Sequence, residues 1–126
     1  MNAEEYGLEF EDRGSYLYAL ITGKDSFAAS LSYWNRIADE VGRRGHDRLL
    51  VHECMAGKVS AREMYDLIMD LKDSALRKVR IAFYDENAGD SFLNLLGKLI
   101  TAYSGGDVRI FTKLDAARSW IESPAD

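Results

Sequence analysis

The sequence is poor in the residues that build disulfides, metal centres and stiff linkers. Its 126 residues include one cysteine, one proline and two histidines. The single Cys54 excludes an intrachain disulfide and a multi-cysteine zinc site. A chain of this length buries roughly two-thirds of the surface that its unfolded form exposes, so it needs neither device to fold. We therefore expect one domain over residues 5–122, with short tails at 1–4 and 123–126.

An excess of positive charge and long apolar runs are also missing. The formal net charge is −5 at pH 7, so attraction of the whole chain to nucleic acid is not expected. No apolar run approaches the ~18 residues that a membrane span requires. The acidic beginning, MNAEEYGLEF, lacks the apolar segment of a secretory signal. The sequence therefore predicts no membrane span, no nucleic-acid partner and a cytoplasmic location.

Motifs that carry known chemistry are absent as well. The chain has no glycine-rich phosphate loop, no G-x-S-x-G elbow and no H-E-x-x-H pair. His52 and Cys54 point to one face of a predicted strand, where a histidine held by hydrogen bonds and a small buried thiol are the expected reading. No cofactor, no metal ligand and no catalytic residue is predicted from motifs.

What the chain does contain is a regular alternation of strand and helix patterns. Residues 6–11 alternate apolar and acidic, and 15–22 are rich in aromatic and β-branched residues, which predicts an antiparallel hairpin. Three units of helix and strand follow, and a short helix closes the chain. Strands joined through helices pair in parallel. The prediction is an α/β fold with a single five-stranded mixed sheet and about four helices.

Ser60 stands in the stretch AGKVSAREMY, at the start of a predicted helix. Ser60 and Glu63 fit the capping box S-x-x-E, in which the serine oxygen and the glutamate each bond a backbone amide. A helix N-terminus also favours negative charge, so a serine there is chemically suited to phosphorylation. The sequence leaves both roles open, a helix cap and a phosphorylation switch.

Three carboxylates, Glu53, Asp85 and Glu86, come at the carboxyl ends of two predicted parallel strands. Ligands of open α/β sheets bind at this edge. A small enzyme or a hard-cation site would use such groups. Solvated loop charges are the simpler expectation for all three.

Aromatic and sulfur side chains extend the apolar faces of the helices. Tyr33, Tyr65 and Met69 fall beside or off the main stripes, which indicates a second contact surface. A protein partner, or a second copy in a homodimer, would occupy it. A different arrangement places a small apolar ligand between the sheet and the third helix, near Phe92, Leu96 and Tyr103.

The order of elements resembles the SpoIIAA-like, or STAS/Sec14-like, family of small bacterial proteins. The likeness rests on the strand RLLVHECMAG and on the closing stretch DVRIFTKLDAARSWIES, with its arginine, acidic residue, alanines and tryptophan. It spans about residues 5–122. It implies a sheet packed by helices and no enzymatic activity.

The resemblance also implies two kinds of function. In the anti-sigma-factor antagonists of this family, a serine at the start of the helix after the central strand is phosphorylated, and Ser60 lies close to that position. The Sec14 side of the likeness implies a lipid or another apolar ligand. The first hypothesis is therefore a non-catalytic, regulatory STAS-like domain that binds a protein. The alternative is a carrier of a small apolar ligand, and an enzyme using the strand-end carboxylates is the third.

Overall fold

A computed structural model describes residues 6–57 and 59–124 of the chain. Within this part, strands and helices alternate after an opening hairpin: β1 (Tyr6–Asp12), β2 (Leu17–Lys24), α1 (Phe27–Arg44), β3 (Arg48–Ala56), α2 (Ala61–Leu71), β4 (Arg80–Asp85), α3 (Asp90–Tyr103), β5 (Asp107–Phe111) and α4 (Leu114–Glu122). The predicted α/β class and element order are confirmed. A short 3₁₀ helix before β4, Ala75–Lys78, was not predicted.

The five strands form one sheet in the order β1-β2-β3-β4-β5. β1 pairs with β2 antiparallel, and every other pairing is parallel. The predicted mixed sheet with an antiparallel edge is therefore confirmed. β3 lies in the centre, where its register sets Glu53 opposite Ile21 on one side and Asp85 on the other.

The two faces of the sheet are covered unequally. Each parallel strand lies next to the one before it, so right-handed crossovers in one direction place their helices on the same face. α1, α2 and α3 accordingly pack with the 3₁₀ helix on one face, over a core that includes Ile21, Ile37, Val51 and Phe83. We call this side the three-helix face.

The opposite face is covered by α4 through a smaller core of five buried residues, Tyr16, Leu50, Ala82, Ala117 and Ile121. Two arginines fasten the end of this helix. Arg48 donates to the carbonyls of Ile121 and Ser123, each at 2.9 Å, and Arg80 donates to the Ser123 carbonyl at 3.1 Å. The Arg80 guanidinium also lies 4.0 Å from the centre of the Trp120 ring. Cations at a helix C-terminus oppose its dipole favourably.

The predicted tails fall mostly beyond the described residues. Residues 1–4, 125 and 126 lie outside them, whereas Ser123 is tied back by a hydrogen bond from its hydroxyl to the Trp120 carbonyl. No helix in the described part of the chain is long and apolar enough to cross a membrane.

Candidate functional site

A cavity of about 140 Å³ lies on the three-helix face, between the sheet and helices α2 and α3. We call it the α2/α3 cavity. Its walls are mainly apolar, and they include Leu67 and Ile68 from α2 and Phe92, Leu96 and Ile100 from α3. Phe92 and Leu96 therefore line a cavity in the region where the sequence predicted a ligand pocket. Whether a ligand binds there stays a prediction.

The carboxyl edge of the sheet closes one end of this cavity with polar groups. Glu53, Asp85, Asp25 and Asn87 all line it. Side chains alternate along a strand, so Glu53 shares the three-helix face with Val51 and Met55, and Asp85 shares it with Phe83. Glu53 is only 5% exposed. The expectation of a solvated loop charge is therefore wrong for Glu53, because β3 continues to Ala56 and carries it inside.

Asp25 is the acid at this edge that the sequence did not single out as a site residue. It precedes α1, and its backbone amide donates to the Ala56 carbonyl at 2.7 Å. Gly57 permits this close approach, since it has φ +88° and a Cβ there would lie 3.1 Å from the Asp25 carbonyl oxygen. The loop after β3 thereby holds Asp25 beside Glu53.

Tyr33 joins the two acids through its hydroxyl group. The hydroxyl lies 2.7 Å from Glu53 Oε1, 3.3 Å from Asp25 Oδ2 and 3.1 Å from the Ser30 hydroxyl. Ser30 in turn donates to Asp25 Oδ1 at 2.7 Å. A buried tyrosine hydroxyl requires such partners.

The prediction that Tyr33 belongs to a partner surface is wrong, because its side chain is 1% exposed. The buried side of α1 includes polar side chains as well as apolar ones. Its buried side contains Ser30, Tyr33, Ile37 and Val41, while Trp34 is only half-buried. The polar partners of Tyr33 at the edge of the sheet allow its hydroxyl to be buried without loss of hydrogen bonding.

Burial shifts the pKa values of these groups upward. Loss of solvation raises the pKa of Glu53 to about 8, and repulsion from Asp85 and Asp25 adds to the rise, while the Tyr33 hydrogen bond opposes it. Burial likewise raises the pKa of Asp25 and that of Asp85 above the ordinary value. Burial, followed by the charges of Glu53 and Asp25, raises the pKa of Tyr33, which keeps its hydroxyl protonated and able to donate. At neutral pH this end of the cavity therefore holds a neutral Glu53 between ionisable neighbours.

Ser60 caps α2 through both bonds of the capping box. The Ser60 hydroxyl accepts from the Glu63 amide at 3.1 Å, and Glu63 Oε1 accepts from the Ser60 amide at 2.8 Å. Ser60 remains exposed to solvent. The structural role read from the sequence is confirmed, and its exposure leaves the hydroxyl accessible to a modifying enzyme.

Replacing Ser60 with alanine removes the side-chain half of this cap. We expect the free energy of unfolding to fall by about 0.5–2 kcal/mol. Chemical denaturation followed by circular dichroism measures it. Ser60→Asn, which restores a capping oxygen, serves as the control and should recover most of the loss. Equal losses in both variants would show that the cap contributes little.

Tyr65 and Tyr103 meet on the outside of α2 and α3. Their ring centres lie 5.0 Å apart in an edge-to-face arrangement, with an interplanar angle of 89°. Tyr103 is 45% exposed and does not line the cavity, so its placement in the ligand pocket is wrong. It belongs to the outer surface with Tyr65, because α3 presents it to solvent at its last turn. Met69 is half-buried on α2.

Glu86 follows Asp85 by one residue and points to the opposite face. Its Oε2 lies 2.5 Å from His52 Nε2, and His52 Nδ1 lies 2.8 Å from the Tyr18 hydroxyl. This confirms the reading of His52 as a buried, hydrogen-bonded residue, whereas Cys54 is half-buried rather than buried. The strand-end carboxylates thus divide between the two faces of the sheet and do not form one three-acid site.

Among the residues that the structure describes, no three acidic, histidine or cysteine side chains are grouped closely enough to hold a metal ion. The acids at the cavity end therefore do not form a ready-made metal site. Their arrangement offers hydrogen-bond acceptors at one end of an apolar space.

The comparisons with known proteins bear on the fold. No protein-family model and no curated protein matches the chain. Among solved structures, the chain is similar to an anti-sigma factor antagonist from Mycobacterium paratuberculosis. The superposition has a TM-score of 0.65 and covers 97% of this chain and 98% of that one, at 9% sequence identity. The chain therefore has the SpoIIAA-like, STAS-type fold that its sequence resembles.

Proposed function

We propose that the chain is a non-catalytic, regulatory STAS-like domain that acts by binding a protein. The observation that carries this proposal is the aromatic pair on α2 and α3, formed by half-buried Tyr65 and exposed Tyr103. Of the residues that the structure describes, Tyr103 is the one large hydrophobic side chain that is exposed. Together with Tyr65 it forms an aromatic surface close in the chain to the capped start of α2. Tyrosines are enriched at the centres of protein interfaces.

The fold supports the same proposal. One structural neighbour is an anti-sigma factor antagonist, and the likeness covers nearly the full length of both chains. That protein is named for its action against an anti-sigma factor, which is itself a protein. By analogy of fold, the partner of this chain is a regulatory protein or a second copy of the chain.

Replacing Tyr65 with aspartate should abolish partner binding and leave the fold intact. The change places a charge in the middle of the aromatic pair, and a desolvated charge at an interface costs several kcal/mol. Self-association is measured by sedimentation velocity. For another protein, a photo-crosslinking amino acid at position 103 captures the partner in the cell of origin.

Two controls make this test specific. Tyr65→Phe retains the ring and should retain binding, and a crosslinker at Glu9, an exposed residue of β1 on the opposite edge of the sheet, should capture nothing. Unchanged association in the aspartate variant, or equal capture from both positions, would contradict the proposed surface.

Phosphorylation of Ser60 is the proposed means of regulation. A phosphate on this exposed hydroxyl would add about −1.5 to −2 charges next to Glu63, which changes the charge of the surface at the start of α2. Ser60→Asp and Ser60→Asn have nearly the same shape and both cap a helix, and they differ in charge. We expect the aspartate variant to lose partner binding and the asparagine variant to keep it. Equal binding by both would leave Ser60 with its capping role alone.

The second candidate function is a carrier of a small apolar ligand. The observation that favours it is the α2/α3 cavity, in which apolar walls end in a few polar groups, the usual construction of ligand sites. Native mass spectrometry of the protein from its own cell tests both candidates, because a single spectrum reports the oligomer and any retained ligand.

A further inference from the structure

The α2/α3 cavity has the dimensions of a small organic group. Its volume of about 140 Å³ is close to that of an engineered apolar cavity of about 150 Å³ that binds benzene in another protein. The walls that α2 and α3 provide are aliphatic and aromatic. Space of this size accommodates one ring or a short alkyl chain, and it does not hold a whole lipid.

The polar end of the cavity determines which polar functional group a ligand there must have. Glu53 is 5% exposed, and the only hydrogen bond of its side chain within the described residues is the one that Tyr33 donates to Oε1. Its Oε2 accepts no hydrogen bond from a described residue. While the cavity is empty this carboxyl is protonated at neutral pH, and a cationic donor that enters takes the place of that proton at Oε2 while the proton leaves to solvent.

The neighbours of Glu53 determine the charge of that donor. Asp25 and Asp85 line the same end, and within the described residues neither forms an ion pair with a lysine or arginine. Burial is the main cause of the raised pKa values of Glu53 and Asp85, and repulsion from neighbouring carboxylates raises them further. A cation among them relieves the repulsion and donates hydrogen bonds in the same step.

We propose that the α2/α3 cavity binds a small primary amine in which a protonated amino group is attached to a ring or short alkyl chain. The amino group lies at the carboxyl edge and donates to Glu53 Oε2, with Asp25 and Asp85 around it. The apolar part lies between Phe92, Leu96 and Ile100. This inference rests on the second candidate function, and the protein-binding proposal does not depend on it.

The other end of the cavity offers the competing solution. Lys72 and Arg77 line the amino edge of the sheet and would suit an anionic group. Both side chains are exposed, so water screens their charge, whereas Glu53 is enclosed. The enclosed end is expected to dominate selection, because hydrogen bonds to a charge are stronger in a low dielectric.

The test compares three probes of nearly equal shape: phenethylamine, phenethyl alcohol and phenylacetate. Each is titrated at pH 7 into the full ¹⁵N-labelled chain, and amide shifts are followed by NMR. We expect phenethylamine to shift residues of α2 and α3 that line the cavity, and to bind about tenfold or more tightly than the alcohol. Glu53→Gln should weaken the amine by a similar factor and leave the alcohol unchanged.

Glu86→Gln is the matched control, because it removes a carboxylate from the same edge of the sheet but on the opposite face. Amine binding should be unchanged in it, and the dispersion of the amide spectrum reports that each variant is folded. Equal binding of amine and alcohol would overturn the amine proposal while leaving an apolar carrier. Tightest binding of phenylacetate would show that Lys72 and Arg77 select the ligand, and it would overturn the amine proposal as well. Failure of all three probes to bind would overturn the carrier function together with this inference.

Discussion

Replacing Glu53 with glutamine should raise the melting temperature at pH 9 by about 5 °C or more, and by much less at pH 5. The pKa of Glu53 rises from an ordinary value of 4.5 to about 8 in the folded chain. The folded state therefore holds a proton that the unfolded state releases near pH 4.5. Between these two values the folded state binds more protons, so the free energy of unfolding falls as the pH rises. Above about pH 8 the full penalty of a buried charge, a few kcal/mol, is present.

Glutamine removes this penalty because it has the same shape and no charge to bury. Its amide oxygen can accept the Tyr33 hydrogen bond, and its amide NH₂ group can donate to the neighbouring carboxylates. Melting curves of both proteins between pH 5 and pH 9 measure the difference. Glu86→Gln is again the control, since its side chain is 40% exposed. A difference between Glu53→Gln and the parent chain that does not change with pH would show that Glu53 is solvated in the folded state.

Replacing Ile121 with alanine should lower the free energy of unfolding by about 2–5 kcal/mol, which is a large part of the stability of a domain this size. Ile121 is 0% exposed and belongs to the five-residue core beneath α4. That core is small, and α4 is the helix that packs over this face. The deleted methyl groups leave a space that few neighbours can fill. Urea denaturation measures the loss, provided that the slope with denaturant stays constant.

Leu93→Ala is the matched control for this substitution. Leu93 is a half-buried residue of α3, and it lies outside both core clusters. It should lose less than half of what Ile121→Ala loses. Equal losses would mean that α4 is not firmly packed on the sheet. Because the α2/α3 cavity lies on the other face, Ile121→Ala should bind phenethylamine as the parent chain does while it remains folded.

The candidate site was predictable only in part. Glu53 and Asp85 were set at the carboxyl edge from the positions of two strands, and Phe92 and Leu96 were set near the third helix. Asp25 was not recognised from the sequence as a site residue. The signal that could have found it is the edge itself, because Asp25 follows β2 just as Glu86 follows β4.

Two aromatic residues lie in environments opposite to those predicted, for reasons that the spacing of residues along a helix cannot reveal. Tyr33 was expected outside and is buried, because Glu53, Asp25 and Ser30 satisfy its hydroxyl from three places in the chain. Tyr103 was expected inside and is exposed at the end of α3. A helical stripe defines which residues share a side, but its rotation against the sheet is decided by the partners that the side meets.

The sequence by itself determined the type and order of the elements, the antiparallel hairpin, the cap at Ser60 and which residues of each strand share a face. These follow from local periodicity and from bonds within a few residues. Only the tertiary structure decided which face receives three helices and which receives α4. That choice depends on the order of the strands and the hand of every crossover, and these are properties of the whole chain. The tertiary structure also placed Glu53 and Asp85 at an apolar cavity, whereas Glu86, one residue after Asp85, faces the other side of the sheet.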